Sequence, residues 1–144
     1  MKNVIFGKNV TVVEPCNIYD CHIGENTFIG PFVEIQKNVN IGKNCKIQSH
    51  SFVCEFVQIE DHCTVAHGVM FINDKFSIGR PANGNKGLWQ QTTVKNHVSI
   101  GSNSTILPVR ICEGVVIGAG SVVTKDITTK GIYAGNPAKK IRDL

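Results

Sequence analysis

The stretch IGENTF IGPFVE IQKNVN IGKNCK IQSHSF VCEFVQ IEDHCT VAHGVM, residues 23–70, repeats every six residues. The first position of each hexad is Ile or Val, the second is often Gly, and the fifth is always small. A helix would place apolar residues three and four apart and a half-buried strand two apart, so neither explains this spacing. The period therefore predicts short strands that are joined by corners.

The same frame covers almost the whole chain. FGKNVT and VVEPCN fit it upstream with one residue missing before Ile23, and VKNHVS resumes it at Val94 before a slip of one residue after Ile106. Positions one and five would point inward, three hexads would form a triangular coil, and stacked coils would pair as parallel strands. We expect an all-β, single-domain parallel β-helix over residues 1–144, with about six coils and one long protruding loop.

Several residue types have structural explanations within this frame. Cys16, Cys45 and Cys63 fall at position five, where a buried thiol behaves as a small hydrophobic group. The six cysteines include no C-x-x-C pair, so we expect free thiols and no metal site. Gly at position two is expected to supply unusual backbone dihedral angles.

Composition and charge limit the classes of binding partner that we expect. The net charge of +4 is mild for a nucleic-acid-binding protein, no apolar run approaches the length of a membrane span, and MKNVIFGKNV lacks the apolar region of a signal peptide. We expect no nucleic-acid or membrane partner and a cytoplasmic location. The basic C-terminal tail, residues 131–144, is either a solvated tail or a phosphate-binding segment.

Three features together resemble the left-handed β-helix hexapeptide-repeat acyltransferases. The Ile/Val-Gly-x-x-small-x hexads carry the resemblance over nearly the whole chain, and the left-handedness comes from the resemblance alone. VIGAGSVVTKDI followed by GNPAKKIR is similar to the closing signature of the acyl-CoA-dependent members. HGVMFINDKF, followed by a loop with Arg80-Pro81, is similar to the branch that N-acetylates nucleotide-linked amino sugars.

The resemblance implies a specific activity. Its nearest branch transfers an acetyl group from acetyl-CoA to dTDP-3-amino-3,6-dideoxyhexoses for surface polysaccharide, including lipopolysaccharide O-antigen, by direct attack of the amine on the thioester. It also implies a homotrimer with sites between subunits. A short solenoid with broad flat walls independently favours self-association.

The interruption of the repeat at residues 73–93 predicts a functional loop. So long a loop in a compact fold is either functional or disordered, and this one contains the only tryptophan, Trp89. We expect it to be ordered by packing, against a neighbouring copy, and to wall a site between two subunits. The resemblance implies that Asn73, Asp74, Arg80 and Trp89 bind the substrate.

His67 is the expected general base, because it precedes the loop directly and imidazole is suited to remove a proton near neutral pH. The remaining histidines have structural explanations; His50, His62 and His97 fall at position four, an expected solvent-facing corner. For coenzyme A we expect a binding segment of small residues followed by two cations, comprising Gly118, Ala119, Gly120, Ser121, Lys139 and Lys140.

Three other functions remain open at this point. A sugar O-acetyltransferase would differ only in the nucleophile that the substrate supplies, and a non-catalytic trimeric scaffold would keep the same residues. A γ-carbonic-anhydrase-like zinc hydratase is suggested by the His62-x4-His67 spacing. However, the two histidines occupy hexad positions different from those of that family, and no third zinc ligand can be named.

Overall fold

The computed structural model describes residues 1–144 and consists of twenty short strands and one 3-10 turn, Lys86–Leu88, so it has no helix that could cross a bilayer. The strands, numbered in chain order, form three sheets. Sheet 1 contains β1 (Ile5–Phe6), β4 (His22–Ile23), β7 (Asn40–Ile41), β10 (Val57–Ile59), β13 (Thr92–Val94) and β16 (Arg110–Ile111). Sheet 2 contains β2 (Thr11–Val12), β5 (Phe28–Ile29), β8 (Lys46–Ile47), β11 (Thr64–Val65), β14 (Ser99–Ile100), β17 (Val116–Ile117), β19 (Ile132–Ala134) and β20 (Lys139–Arg142). Sheet 3 contains β3 (Asn17–Ile18), β6 (Glu34–Ile35), β9 (Phe52–Val53), β12 (Met70–Phe71), β15 (Thr105–Ile106) and β18 (Val122–Val123).

Consecutive strands visit the three sheets in turn, so three strands complete one coil. Each strand pairs in parallel with the strand one coil further on, and Ile41 of β7 lies between Ile23 of β4 and Ile59 of β10. β18 completes the sixth coil, which confirms the left-handed parallel β-helix of about six coils. The chain then begins a seventh, because Ile127 bridges to Ile111 and β19 pairs with β17.

The position-one residues form the core. Ile29, Ile35 and Ile47 are fully buried, and 28 buried residues make a single cluster that runs through the prism. Burying one such side chain contributes about 1.5–3 kcal/mol, so the periodic sequence supplies its own stabilisation coil by coil. The first coil is more open, and Phe6 is 41% exposed.

The prediction that glycine at position two supplies unusual backbone dihedral angles is wrong. Gly24, Gly42 and Gly101 are not among the residues with positive φ. A Cβ at Gly24 would instead lie 2.5 Å from the carbonyl carbon of Gly42, and one at Gly101 would lie 2.5 Å from the Ala119 nitrogen. Close approach between coils, rather than backbone freedom, selects glycine here.

The left-handed backbone conformation is found at position four. Asn and His tolerate this conformation better than most side chains, and glycine adopts it freely. The residues at this corner with positive φ include Asn26, Asn38, Asn44, His50, His62, His97 and Asn103. The three histidines are exposed, as expected for a solvent-facing corner.

Polar residues at position five link consecutive coils. The Thr27 hydroxyl donates to the Gly42 carbonyl (2.8 Å) and accepts from the Cys45 amide (3.1 Å). The Ser51 hydroxyl does the same between Ala66 and Val69. Thr92 departs from this pattern, because its hydroxyl is buried without a hydrogen-bond partner.

All six cysteines are free thiols. Cys45 and Cys63 are buried at position five as predicted, and their sulfurs contact the carbonyls of Glu60 (3.1 Å) and Lys95 (3.0 Å). Cys16 occupies the corresponding site in the open first coil and is half-buried. Cys21, to which the irregular spacing before Ile23 gave no predicted hexad position, is buried as well.

One predicted boundary and one of the alternatives for the C-terminal segment need correction. The loop is shorter than residues 73–93, because Thr92 and Thr93 already pair with Val57 and Gln58 in sheet 1. The segment of residues 131–144 is not a frayed tail. It forms a hairpin in which β20 runs antiparallel to β19 and covers the last strand edge of sheet 2.

We predict opposite effects for two matched substitutions in the core. Thr27→Val leaves a buried carbonyl and amide without their partner and should lower the free energy of unfolding by about 1–3 kcal/mol. Thr92→Val removes a hydroxyl that has no partner and should be neutral or stabilising. Urea unfolding of the two variants beside the wild type measures both effects, and equal losses would contradict the assignment.

We also predict that two cysteines of six react in the native protein. Burial raises the pKa of Cys21 to about 11 and that of Cys54 to about 12, so both are protonated thiols at pH 8. Cys45 and Cys63 are 1% exposed, whereas Cys16 and Cys112 are half-buried. Ellman's reagent should therefore modify Cys16 and Cys112 at pH 8 and all cysteines in guanidinium. Rapid native modification of Cys21 or Cys54, located by mass spectrometry, would contradict this.

Candidate active site

The loop of residues 72–91 leaves the prism at the corner between sheet 3 and sheet 1, which we call the loop corner. Its two ends are held together at the base, where the Gln90 amide donates to the Asn73 carbonyl (3.0 Å). The Asn73 side chain donates to the Glu55 carbonyl one coil below (3.2 Å). Asn73 therefore attaches the loop to the coil beneath it.

Asp74 organises the first part of the loop. Its Oδ1 accepts from the Phe76 amide (3.0 Å), and its Oδ2 accepts from the Ala82 amide (2.8 Å). These bonds fix the direction of the carboxylate, and each oxygen keeps a further lone pair that can accept from a ligand. A fixed carboxylate of this kind can orient an ammonium or a hydroxyl group.

The second part of the loop is anchored by a buried acid. Lys86 Nζ lies 2.8 Å from Oε1 of Glu55, whose side chain is only 11% exposed. The same ammonium lies 5.7 Å from the centre of the Trp89 ring, and Trp89 meets Phe56 edge-on at 6.4 Å. The loop is thus ordered by packing, as expected, but the contacts that order it here come from its own chain.

Two neighbouring cavities result from this arrangement. An open groove of about 400 Å³, which we call the aromatic groove, is lined by Gln36, Phe52, Cys54, Phe71, Ile72, Asn73, Asp74, Phe76 and Trp89. A second cavity of about 240 Å³, which we call the apolar pocket, is lined by Ile72, Asp74, Lys75, Phe76 and Leu107. Ile72, Asp74 and Phe76 border both cavities, so the two cavities are direct neighbours.

The aromatic groove brings together Asn73, Asp74 and Trp89, three of the residues predicted to bind the substrate. Arg80 is exposed further out on the loop and makes no ion pair or side-chain hydrogen bond within the chain. Sequence reasoning missed Gln36, Phe52 and Glu55, because they reach the loop only through the stacking of coils.

His67 lies elsewhere. It is exposed at the corner between sheets 2 and 3, which we call the histidine corner, and it lines neither cavity of its own chain. The expectation that His67 borders the loop is therefore not met within one chain, because strand β12 separates the two corners. His62 does not turn toward His67 either; it stacks on His97 with ring centres 4.8 Å apart. No group of three or more possible metal ligands is found.

The segment predicted to bind coenzyme A shares the histidine corner with His67. His67, Ser102 and Ala119 occupy the same hexad position in three consecutive coils, and the His67 amide donates to the Ser102 hydroxyl (3.2 Å). Ala119 and Gly120 are exposed. The Ala119 amide has no partner in the chain, so an extended ligand can bind along this backbone.

Ser121 and Lys140 are already engaged within the chain. The buried Ser121 hydroxyl donates to the Gly118 carbonyl (2.6 Å) and accepts from the Gly135 amide (3.2 Å). Lys140 Nζ pairs with Asp143 (2.6 Å), and that contact raises the pKa of Lys140. Lys139 keeps a free ammonium, and its segment lies beside the histidine corner because the Ala138 amide donates to the Val122 carbonyl.

Comparison with known protein families points to one class. The model of the bacterial transferase hexapeptide (six repeats) matches residues 20–55, and that of the hexapeptide repeat of succinyl-transferase matches residues 91–125. The bifunctional protein GlmU of Thermodesulfovibrio yellowstonii is 31% identical over 97% of this chain, but the match covers 32% of GlmU. The chain thus spans about a third of the length of the curated relatives it matches.

Solved structures of AntD, an N-acyltransferase from Bacillus cereus, are similar to the whole chain. A variant of AntD in complex with dTDP-4-amino-4,6-dideoxyglucose and coenzyme A is 27% identical, with a TM-score of 0.86 over 98% of this chain and 83% of AntD. AntD in complex with dTDP and 3-hydroxybutyryl-CoA is 26% identical, with a TM-score of 0.84 over 98% of this chain and 82% of AntD.

We predict that the ion pair between Glu55 and Lys86 holds the loop closed. Glu55→Gln removes the charge from the buried partner, and since Lys86 is half exposed we expect a loss on the order of 1 kcal/mol. The loop should then open several-fold more often, and trypsin should cut after Lys75 correspondingly faster. Glu60→Gln, which breaks the ion pair with Lys95 outside the loop, is the matched control. Equal cleavage rates in the two variants would contradict the anchoring role.

Proposed function

Because the chain belongs to the hexapeptide-repeat acyltransferases, which use acyl-CoA, we propose that it acylates the amino group of a nucleotide-linked amino-deoxyhexose. In its finer form the proposal names acetyl-CoA as donor, a dTDP-3-amino-3,6-dideoxyhexose as acceptor, and the cytoplasmic synthesis of surface polysaccharide such as the lipopolysaccharide O-antigen as its setting. The amine at carbon 4, as in the sugar bound to AntD, is the alternative acceptor.

The observation that carries the proposal is the division of suitable residues between the two corners that flank sheet 3. The loop corner offers a groove with aromatic faces, an amide and a fixed carboxylate. The histidine corner offers His67 and an exposed backbone segment beside a free lysine. In a homotrimer, the histidine corner of one copy would meet the loop corner of the next, so that each site is built from two chains.

The acceptor would occupy the aromatic groove. Trp89 and Phe52 present ring faces or edges against which a pyrimidine base can pack, and Arg80 can reach a pyrophosphate with its forked guanidinium. Asn73 and Asp74 would then hold the hexose, with the free lone pairs of Asp74 accepting from its amine.

The donor would extend along Gly118, Ala119 and Gly120 of the adjacent copy, with Lys139 near its phosphates. Lys140 would have to leave Asp143 before it could contribute. Ser121 would support this backbone rather than contact the donor through its hydroxyl.

The chemistry is a direct transfer without an acyl-enzyme. The sugar amine attacks the thioester carbonyl carbon while the His67 imidazole takes its proton. The new C–N bond forms, the C–S bond breaks, and the departing thiolate of coenzyme A takes the proton from the His67 imidazolium. A hydroxyl acceptor could use the same arrangement. A sugar O-acyltransferase would therefore have the same residues and differ only in its acceptor.

A thiol-release assay with acetyl-CoA tests the activity. The panel comprises dTDP- and UDP-linked sugars with an amine at carbon 3 or carbon 4, each beside the matching sugar that carries a hydroxyl there. We expect release with a dTDP-amino sugar and at least about tenfold less with its hydroxyl counterpart, because an amine attacks a thioester more readily than a hydroxyl does. Release with the hydroxyl sugars alone would establish O-acylation, and no release with any acceptor would favour the non-catalytic scaffold.

Mixed trimers test whether the site is shared. His67→Ala and Asp74→Asn should each lower kcat by about 10²-fold or more if the residues serve as base and positioning group. When the two variants are unfolded and refolded together, about a quarter of the sites would combine an intact His67 with an intact Asp74 from the other chain. Activity should recover to about that fraction only if the site lies between chains. No recovery, in trimers verified by light scattering, would contradict the shared site.

A further inference from the structure

The apolar pocket is the feature that the proposed reaction leaves without an occupant. It adjoins the aromatic groove, with which it shares Ile72, Asp74 and Phe76, and its wall is carbon except at Asp74 and the end of Lys75. Leu107, contributed by the next coil, closes its far side and packs against the core. Nothing in the binding of a nucleotide or of its pyrophosphate requires a wall of this kind.

The position of Asp74 suggests what fills it. If the acceptor amine lies at Asp74 with the sugar nucleotide in the aromatic groove, the bond to the acyl group forms at the border of the two cavities. The carbon chain of the acyl group would then extend into the apolar pocket, where its burial is favourable. A cavity of about 240 Å³ leaves the single methyl of an acetyl group in contact with only part of the wall.

We propose that the apolar pocket, bounded by Ile72, Phe76 and Leu107, binds the acyl chain of the donor and selects a group longer than acetyl. This inference rests on the proposed function and deepens it: acetyl-CoA remains a donor, and butyryl-CoA is the better one. The transfer itself is unchanged, because the amine nitrogen still displaces the thiolate at the carbonyl carbon. Leu107 is the residue that sets the depth of the pocket.

The test is a chain-length series with one acceptor sugar. Acetyl-, propionyl-, butyryl- and hexanoyl-CoA are compared by kcat/KM, and the readout is the ratio of butyryl to acetyl, which does not depend on the fraction of active protein. For the wild type we expect a ratio of about 10 or more, because two additional methylenes are buried. Leu107→Ala should move the optimum to hexanoyl, and Leu107→Phe, which fills the pocket, should lower the ratio about tenfold.

Val13→Phe serves as the matched control. Val13 occupies the same hexad position on sheet 2 in the first coil, is exposed, and borders neither cavity, so the ratio should equal that of the wild type. The melting temperature of each variant is recorded. The two Leu107 variants are expected to shift the preferred chain length in opposite directions, longer for Leu107→Ala and shorter for Leu107→Phe, which a general loss of folding would not produce.

Two outcomes would overturn the inference while leaving the proposed function intact. One is a wild type that prefers acetyl-CoA with a ratio that Leu107→Phe does not change. The other is a Leu107 variant that changes discrimination between 6-deoxy and 6-hydroxy sugars but not between acyl groups, which would show that the pocket holds the methyl group of the sugar. If no acyl-CoA is consumed with any acceptor, the proposed function fails and this inference fails with it.

Discussion

The backbone ladder between consecutive coils is the constraint on which the rest of the structure depends. The strands are mostly two residues long, so none is stable alone, and each is held by bonds such as those from the Gly24 amide to the Ile41 carbonyl and from the Gly42 amide to the Ile59 carbonyl (both 2.8 Å). The ladder requires that every coil returns its strands to register, which explains the close approach at Gly24 and the left-handed corner at Asn26. A long insertion is tolerated only where the chain returns in register, and β13 does so opposite β10 after the loop.

The fold could be predicted from the sequence because the same hexad pattern, with Ile or Val first and a small residue fifth, occurs many times. The site could be predicted only in part. Asn73, Asp74 and Trp89 lie within one irregular segment and were predicted from the family resemblance of that segment, whereas Glu55 contacts Asn73 from 18 residues earlier. That separation is one full coil. The period of the repeat could therefore have identified Glu55 as a residue that contacts the base of the loop. The cause assigned to Gly24 and the spatial relation of His67 to the loop required the coils to be stacked in three dimensions.

The placement of the candidate site residues reflects the geometry of a three-sided prism. One flat face cannot enclose a ligand, and the two cavities described here exist only because the loop rises from a corner. The protein anchors that loop with a nearly buried carboxylate, Glu55, and an ammonium that also contacts Trp89. The charged groups at the base of the loop are therefore largely satisfied by one another, and the polar atoms that remain free, on Asp74 and Arg80, are available to a ligand.

The reversed direction of β20 has a consequence for the outer edge of sheet 2. A ladder of identical steps has no intrinsic length, and an open strand edge is a template on which further chains can grow into fibres. β20 runs antiparallel to β19 and shows a register irregularity at Ile132, so it does not offer the in-register parallel edge that the inner strands present. Lys139, Lys140 and Arg142 add like charges to that edge. On sheet 2, the hairpin thus prevents further chains from pairing with the outer strand and growing into a fibre.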